Sequence, residues 1–173
     1  MSAEALRAAV RDVVDFPKPG IVFKDITPIL ADGALFRESI SLLCETAGGA
    51  KIDKVVGIDA RGFIFAAAVA DRLGAGFVPV RKKGKLPWKT HFTAYELEYG
   101  EAAIEMHADA VKPGESILVV DDLLATGGTA AAALKLLDGL GANVLGFSVL
   151  IELEFLNGRS KLIPHPVHTI ITY

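Results

Sequence analysis

"VVDDLLATGGTAAAALKLL", Val119–Leu137, ends an apolar run in two adjacent carboxylates. Five small or hydroxylated residues, Ala125–Thr129, then lead into an alanine-rich stretch. The apolar run predicts a buried strand and the alanine-rich stretch a helix, so Asp121 and Asp122 fall where strand gives way to loop. In an open α/β sheet, ligands bind beyond the carboxyl ends of the strands. The loop has almost no side-chain bulk, so its backbone N–H groups can face a ligand; Thr126 and Thr129 add hydroxyl donors and the helix its positive N-terminal end. These groups suit a phosphate. The carboxylates would repel a phosphate set against them, but they accept hydrogen bonds from a sugar's vicinal hydroxyls a few ångströms away. Together the two describe a site for a phosphorylated pentose. A lone Gly-Gly-Thr would be no more than a helix start with a threonine cap; the paired acids, the strand before and the helix after favour the ligand. Neither GxxxxGK[ST] nor GxGxxG is present: Gly57 and Gly62 have the spacing of the first, but Phe63 stands where lysine belongs.

Outward from this stretch, strands and helices alternate. Leu6, Val10 and Val13 predict a helix that "FPKPG" (Phe16–Gly20) breaks, and Phe36, Ile40, Leu43 and Ala47 predict another that ends at Gly48-Gly49. "DKVVGID" reads as a strand, "GFIFAAAVADRLG" as a helix stopped by Gly74, and "GFVPV" as the next strand. Arg81–Phe92 is basic and aperiodic, and reads as a long, exposed, mobile loop. Thr93–Glu98 and Ala102–His107 suit a hairpin. "SILVVDD", a helix over Gly128–Gly139, the strand "ANVLGFSVLIEL" and a peripheral last strand, "VHTIITY", complete the pattern. The expectation is one domain over 1–173 with a mainly parallel sheet flanked by helices.

The totals agree with a globular chain: of 173 residues 51% are apolar and 23% charged. A net charge of −3 without a block of like charges argues against a dedicated nucleic-acid binder. Cys44 is the only cysteine, which excludes an internal disulfide and fits a reducing compartment. Arg7 and Arg11 interrupt what would be the apolar core of a signal peptide, and no apolar run nears the roughly 18 residues of a membrane span. A cytoplasmic protein is expected. The four histidines form no convincing metal set; His165 and His168 merely flank Pro166-Val167.

Four ordered motifs carry a family resemblance: "FPKPGIVFKDITPIL", "DARGFIF", "RKKGKLP" followed by "YELEYG", and "ILVVDDLLATGGT". The last resembles the phosphoribosyl-pyrophosphate (PRPP) motif of the purine and pyrimidine phosphoribosyltransferases, and its D-D-L-L-A-T-G-G-T form is similar to that of the adenine-using members. The resemblance implies a type I phosphoribosyltransferase-like fold with a small N-terminal hood (about 1–33) and a flexible basic lid and hairpin (about 81–107). It implies transfer of a phosphoribosyl group from PRPP to adenine, giving AMP and pyrophosphate in purine salvage. The alternatives are the same chemistry on hypoxanthine, guanine or xanthine, or a non-catalytic PRPP-binding regulator. The residues before Phe16 are too few for the helix-turn-helix domain such a regulator needs.

Residue by residue, the resemblance assigns the ribose to Asp121 and Asp122 and the 5′-phosphate to Ala125, Thr126, Gly127, Gly128 and Thr129. Asp59, Ala60 and Arg61 would meet the pyrophosphate, with a cis Asp59–Ala60 peptide as relatives often have; alone, Arg61 reads as a surface residue or a helix-terminus ion pair. Arg81 and Lys85 would reach the same pyrophosphate, from a neighbouring subunit of a homodimer in some relatives, with Lys82, Tyr95 and Tyr99 also in the lid. Glu98, in "LEYG", would handle the proton near N7 of the purine and, with Arg61, carry catalysis; Glu96 and Glu101 are its rivals. Val22, Phe23, Lys24 and Leu153 would contact adenine, although several relatives have arginine at the position of Lys24, whose ammonium lacks the planar fork. Relatives that use 6-oxopurines commonly carry an aspartate where Ala125 stands. Mg²⁺ would arrive with PRPP, held by pyrophosphate and ribose oxygens and not directly by the protein.

Overall fold

The structure, a computed structural model, describes residues 2–97 and 99–173. The chain forms two compact units, Met1–Leu42 and Leu43–Tyr173.

In the first unit α1 (Ala3–Ala9) stops at Val10, whose backbone is already extended. The helix predicted through Val13 is therefore shorter, and Val13 lies in β1 (Arg11–Val14), which pairs antiparallel with β2 (Val22–Asp25). β-branched valines at positions 10, 13 and 14 favour the extended form once a partner strand exists. The connection turns on Asp15, whose φ is 58°, and its carboxylate accepts the Gly20 N–H at 2.9 Å. Just ahead of the short helix α2 (Thr27–Ala31) Asp25 accepts the Thr27 N–H (2.9 Å), and Asp32 caps α3 (Gly33–Glu45) through Ala34 and Leu35.

The second unit holds a seven-stranded sheet. Its strands are β3 (Lys54–Ile58), β4 (Gly76–Lys82), β5 (Thr90–Leu97), β6 (Gly100–His107), β7 (Ser116–Leu124), β8 (Asn143–Glu152) and β9 (Val167–Thr172), in the spatial order β5-β6-β4-β3-β7-β8-β9. β4, β3, β7, β8 and β9 run parallel; the β5–β6 hairpin adds antiparallel to β4 at one edge, and β9 closes the other. The central strands are buried along apolar runs such as Ile117–Val120 and Val149–Ile151, as covering on both faces requires. Helix α4 (Gly62–Leu73) packs on β3 and β7, and α5 (Gly128–Gly139) on β5, β6 and β8. Gly74 ends α4 in the left-handed conformation, its N–H returning to the last turn.

β3 leads through α4 to β4 on one side, while β7 leads through α5 to β8 on the other. The crevice between β3 and β7 is thus the topological switch point, where doubly wound sheets bind ligands. Two local differences from the sequence reading matter there. β7 pairs with β3 only to Val120 but with β8 as far as Leu124, so Asp121 and Asp122 lie within a strand whose free edge borders the crevice. Two 3-10 turns, Glu154–Leu156 and Gly158–Leu162, follow β8, in a stretch to which the sequence reading gives no element.

The basic segment is also more ordered than predicted. Arg81 and Lys82 belong to β4, and Thr90 already begins β5, which leaves only 83–89 as loop. That loop is folded over the Glu105 carboxylate, buried on β6. One oxygen accepts the Gly84 and Leu86 N–H groups (3.1 and 2.9 Å) and the other the Thr90 hydroxyl (3.1 Å). Burial by itself drives this carboxyl up, but its hydrogen bonds from Leu86, Thr90, Gly84 and Lys85 outweigh that and hold it below the usual carboxylate range.

Candidate active site

The switch-point crevice is a cleft of about 410 Å³ lined by Ile58–Arg61 on the β3 side and by Asp121–Ala130 on the β7 side. It lies wholly in the second unit. The structure brings together most of the ribose, phosphate and pyrophosphate residues named from sequence: Asp59, Ala60, Arg61, Asp121, Asp122 and the loop Ala125–Thr129.

Gly127 makes the turn into α5 with φ 85°, a conformation only glycine adopts without strain. Behind it, no helix residue precedes to accept the first N–H groups of α5, so they remain available to an anion in the cleft. The turn rests directly on other backbone. A Cβ on Gly127 would come 2.5 Å from the Gly158 carbonyl oxygen, and one on Gly158 would overlap the Ala125 carbonyl oxygen and approach Gly127 N to 3.0 Å. Sequence reading missed Gly158; the only signal was the turn-forming pair Asn157-Gly158, with Asn157 at φ 51°. Next to it, Arg159 clasps the buried Glu152 through two N–H···O bonds (3.0 and 2.6 Å) and also donates to Val167 O and Thr169 Oγ1, both at 3.1 Å. The Arg159 bonds, acting against burial, hold the Glu152 carboxyl below its ordinary range.

The two acids differ. Asp121 sits against the N-terminus of α4, where a side chain on Gly62 would collide with its carboxylate, and it accepts the Asp122 N–H at 2.9 Å. Burial first, and then the Asp122 charge, push its carboxyl well above the usual range, only partly offset by Arg61. Asp122 is ion-paired with Arg61, Nε to Oδ2 at 2.7 Å. On the neighbouring strand Arg81 Nε donates to Asp59 Oδ2 of the same chain at 2.8 Å. Both arginines assigned to pyrophosphate are thus held on carboxylates at the mouth of the cleft. The Asp59–Ala60 peptide is cis.

Lys85 lies in the Glu105-anchored loop with Lys82 at its root. Tyr99 projects into solvent, 85% exposed, whereas Tyr95 is half-buried against α5 and receives the Thr129 hydroxyl at 3.1 Å, which sets it beside the loop 125–129. Glu98 lies outside the described residues. In the first unit Val22 is exposed, Phe23 packs edge-on against Phe16 (5.2 Å), and the Lys24 ammonium is paired with Asp12 at 2.6 Å across the β1–β2 hairpin. Leu153 follows β8, its N–H bonded to Leu124 O at 2.9 Å.

A family model described as phosphoribosyl transferase domain matches residues 25–165. The adenine phosphoribosyltransferase of Anaeromyxobacter dehalogenans is 57% identical over 98% of this chain and 99% of its own length, and that of Acidothermus cellulolyticus is 57% identical over 97% and 95%. The crystal structure of the Rhodothermus marinus adenine phosphoribosyltransferase matches with a TM-score of 0.94 at 51% identity, covering 99% of this chain and 98% of that one. The Saccharomyces cerevisiae enzyme, solved with adenine and an imino-altritol bisphosphate, gives 0.92 at 43% identity over 97% of both chains. With the fold, the switch-point cleft and likeness over the full length of such relatives in agreement, the chain belongs to the adenine phosphoribosyltransferases of the phosphoribosyl transferase family.

Proposed function

We propose that the chain transfers the phosphoribosyl group of PRPP to adenine, giving AMP and pyrophosphate, and that the switch-point cleft is where it does so. The observation that carries this reading is the pairing of carboxylates on a strand edge with an N–H-rich turn on the same β7–α5 unit, opposite Arg61. The turn 125–129 takes the 5′-phosphate, and Asp121 and Asp122 take the ribose hydroxyls. For this the Arg61–Asp122 pair opens: Arg61 turns to the pyrophosphate and frees Asp122 for a hydroxyl, so each charge exchanges one partner for another and neither is left bare. Arg81 leaves Asp59 in the same way, and Lys82 and Lys85 add positive charge as pyrophosphate departs. The bond from C1 of the ribose to pyrophosphate breaks with its electron pair on oxygen, and adenine N9 supplies the new pair from the opposite face. Glu98 accepts the hydrogen bond or proton at N7, Val22, Phe23 and Leu153 cover the ring, and Lys24 contributes through its backbone, its ammonium being engaged by Asp12.

The donors of the cleft fit a metal brought by the substrate. They are hard carboxylate oxygens, the kind Mg²⁺ prefers, and with the ribose bound Asp121 and Asp122 would be engaged by its hydroxyls. Mg²⁺ arriving with PRPP would then meet them through water. When bound, the ion supplies neutralisation of charge on the pyrophosphate oxygens. The reading further places the chain in the cytoplasm as a homodimer; among the described residues no helix is long and apolar enough to cross a membrane.

The deciding experiment offers purified protein Mg²⁺, PRPP and each purine in turn, and measures nucleotide. Adenine alone should give product at a high rate. Preferred use of hypoxanthine or guanine would overturn the base assignment, and no product from any base the enzyme reading.

A further inference from the structure

Tyr95, a lid residue by resemblance, also touches the first turn of α5. On β5, opposite Ala102 of β6, it points with Thr93 toward α5, and its ring packs against the core and over Gly128, where a Cβ would lie 3.5 Å from it. Its hydroxyl meets Thr129 Oγ1 at 3.1 Å. Gly128 and Thr129 both line the cleft. One hydrogen bond between hydroxyls therefore joins the antiparallel hairpin, which also anchors the basic loop through Glu105, to the first turn of α5.

A hydroxyl offers one hydrogen and two lone pairs, whereas a phosphate dianion only accepts. Without a ligand, the Thr129 hydroxyl can donate to Tyr95. With a phosphate on the turn its single hydrogen is needed there, and the contact survives only if the phenol O–H donates to Thr129 Oγ1 instead. Such a chain polarises each bond along it, so the phenol both aims the threonine hydrogen and strengthens its donation. We propose that Tyr95 is a positioning residue of the 5′-phosphate site, acting through Thr129, and that it couples phosphate occupancy to the order of the β5–β6 hairpin. The proposal rests on the reading of 125–129 as the phosphate loop.

Tyr95→Phe removes one oxygen and keeps the ring, so the packing on Gly128 is retained. Affinities for AMP and for pyrophosphate are measured by calorimetry in Tyr95→Phe, Thr129→Val and the double variant, and hairpin order by amide exchange over 90–107 with and without AMP. Loss of one such bond corresponds to roughly a three- to ten-fold weaker AMP complex. The expected result is that weakening in Tyr95→Phe, an equal or larger one in Thr129→Val, a double variant no worse than Thr129→Val, and unchanged pyrophosphate binding. AMP should slow exchange in the wild-type hairpin and no longer do so in Tyr95→Phe. If Thr129→Val weakens AMP and Tyr95→Phe does not, the phosphate loop stands and the Tyr95 role is overturned. Additive losses in the double variant overturn it as well, since Tyr95 then acts independently of Thr129. If neither variant changes AMP affinity, the phosphate assignment of Thr129 fails, and the proposal with it.

Discussion

Gly158→Ala tests whether the turn proposed for the 5′-phosphate is shaped from behind by backbone. The new methyl would overlap the Ala125 carbonyl oxygen and stand 3.0 Å from both Gly127 N and the Thr126 carbonyl carbon. All three neighbours are backbone, so no side-chain rotation relieves the overlap; one of two chain segments must move. The segment carrying Gly158 is fixed by the four Arg159 hydrogen bonds, two of them to buried Glu152, and by Leu162, buried in the core. Among the described residues the turn 125–127 has no comparable set of side-chain hydrogen bonds, so the turn is the segment that moves. Overpacking of this kind costs about 1–3 kcal/mol. For a chain of this size each kcal/mol lowers the melting temperature by about 2–4 °C. Displaced N–H groups that lose one charged hydrogen bond to phosphate, worth about 1.5–3 kcal/mol, would weaken AMP about 10- to 100-fold. Thermal unfolding and AMP calorimetry measure both effects, with pyrophosphate as the control ligand that should bind normally. Gly139→Ala is the matched control variant: it lies in α5 with open space around its Cβ, and there alanine should stabilise by up to about 1 kcal/mol. A folded Gly158→Ala protein with wild-type AMP affinity and melting temperature would refute the argument.

Asp121→Asn should raise the melting temperature at neutral pH while lowering transfer activity. The folded protein holds the Asp121 carboxyl above its ordinary range, so stability declines as pH rises from the unfolded value of about 3.9 through the folded one. The gain should therefore vanish on acidification below about pH 4; a gain independent of pH would contradict that cause. Glu105→Gln should lower the melting temperature at pH 7 by about 2–6 °C, through lost acceptance of the Gly84, Leu86 and Thr90 donors. The depressed Glu105 carboxyl contributes stability above about pH 4.3 that is lost as pH falls through its folded value, so wild type and variant should converge in acid. Parallel curves over that range would exclude Glu105 as the source. Glu98→Gln should slow the single-turnover chemical step at least about ten-fold, the lower end of proton-transfer catalysis being higher still, with PRPP affinity kept. An unchanged rate would remove Glu98 from the mechanism.

The parts legible from sequence are those written locally. Alternation of apolar runs with helical periods gave the parallel core, and the carboxylates beside a bare turn marked the cleft, because a strand, its loop and the next helix are contiguous in the chain. What escaped is set by partners far away in sequence. Val13 reads as helical until β2 supplies hydrogen bonds to it. The basic segment reads as mobile until Glu105, on a different strand, collects its N–H groups. Gly158 has no local mark of importance beyond a turn signal, since its role is to leave room for residues 125–127.

The same distinction governs how the cleft grips its ligand. β7 keeps its ladder with β8 through Asp121 and on to Leu124 after its pairing with β3 has ended, so both acids are carried by a strand braced on one side only. The sheet thereby fixes the position of the acids, while the turn follows the end of β7; on the proposed reading a ribose 5-phosphate spans the two. The donors on the other side are different in kind: Arg61 and Arg81 reach their carboxylates through flexible side chains, and those pairs can exchange. On the proposed reading, acids held by the sheet serve the part of the substrate that stays and mobile charges the part that leaves, which suits a transfer in which ribose phosphate is common to donor and product while pyrophosphate is not. The same reading leaves the incoming base to residues outside this stretch, in keeping with Ala125, which supplies no side-chain donor or acceptor, in its middle.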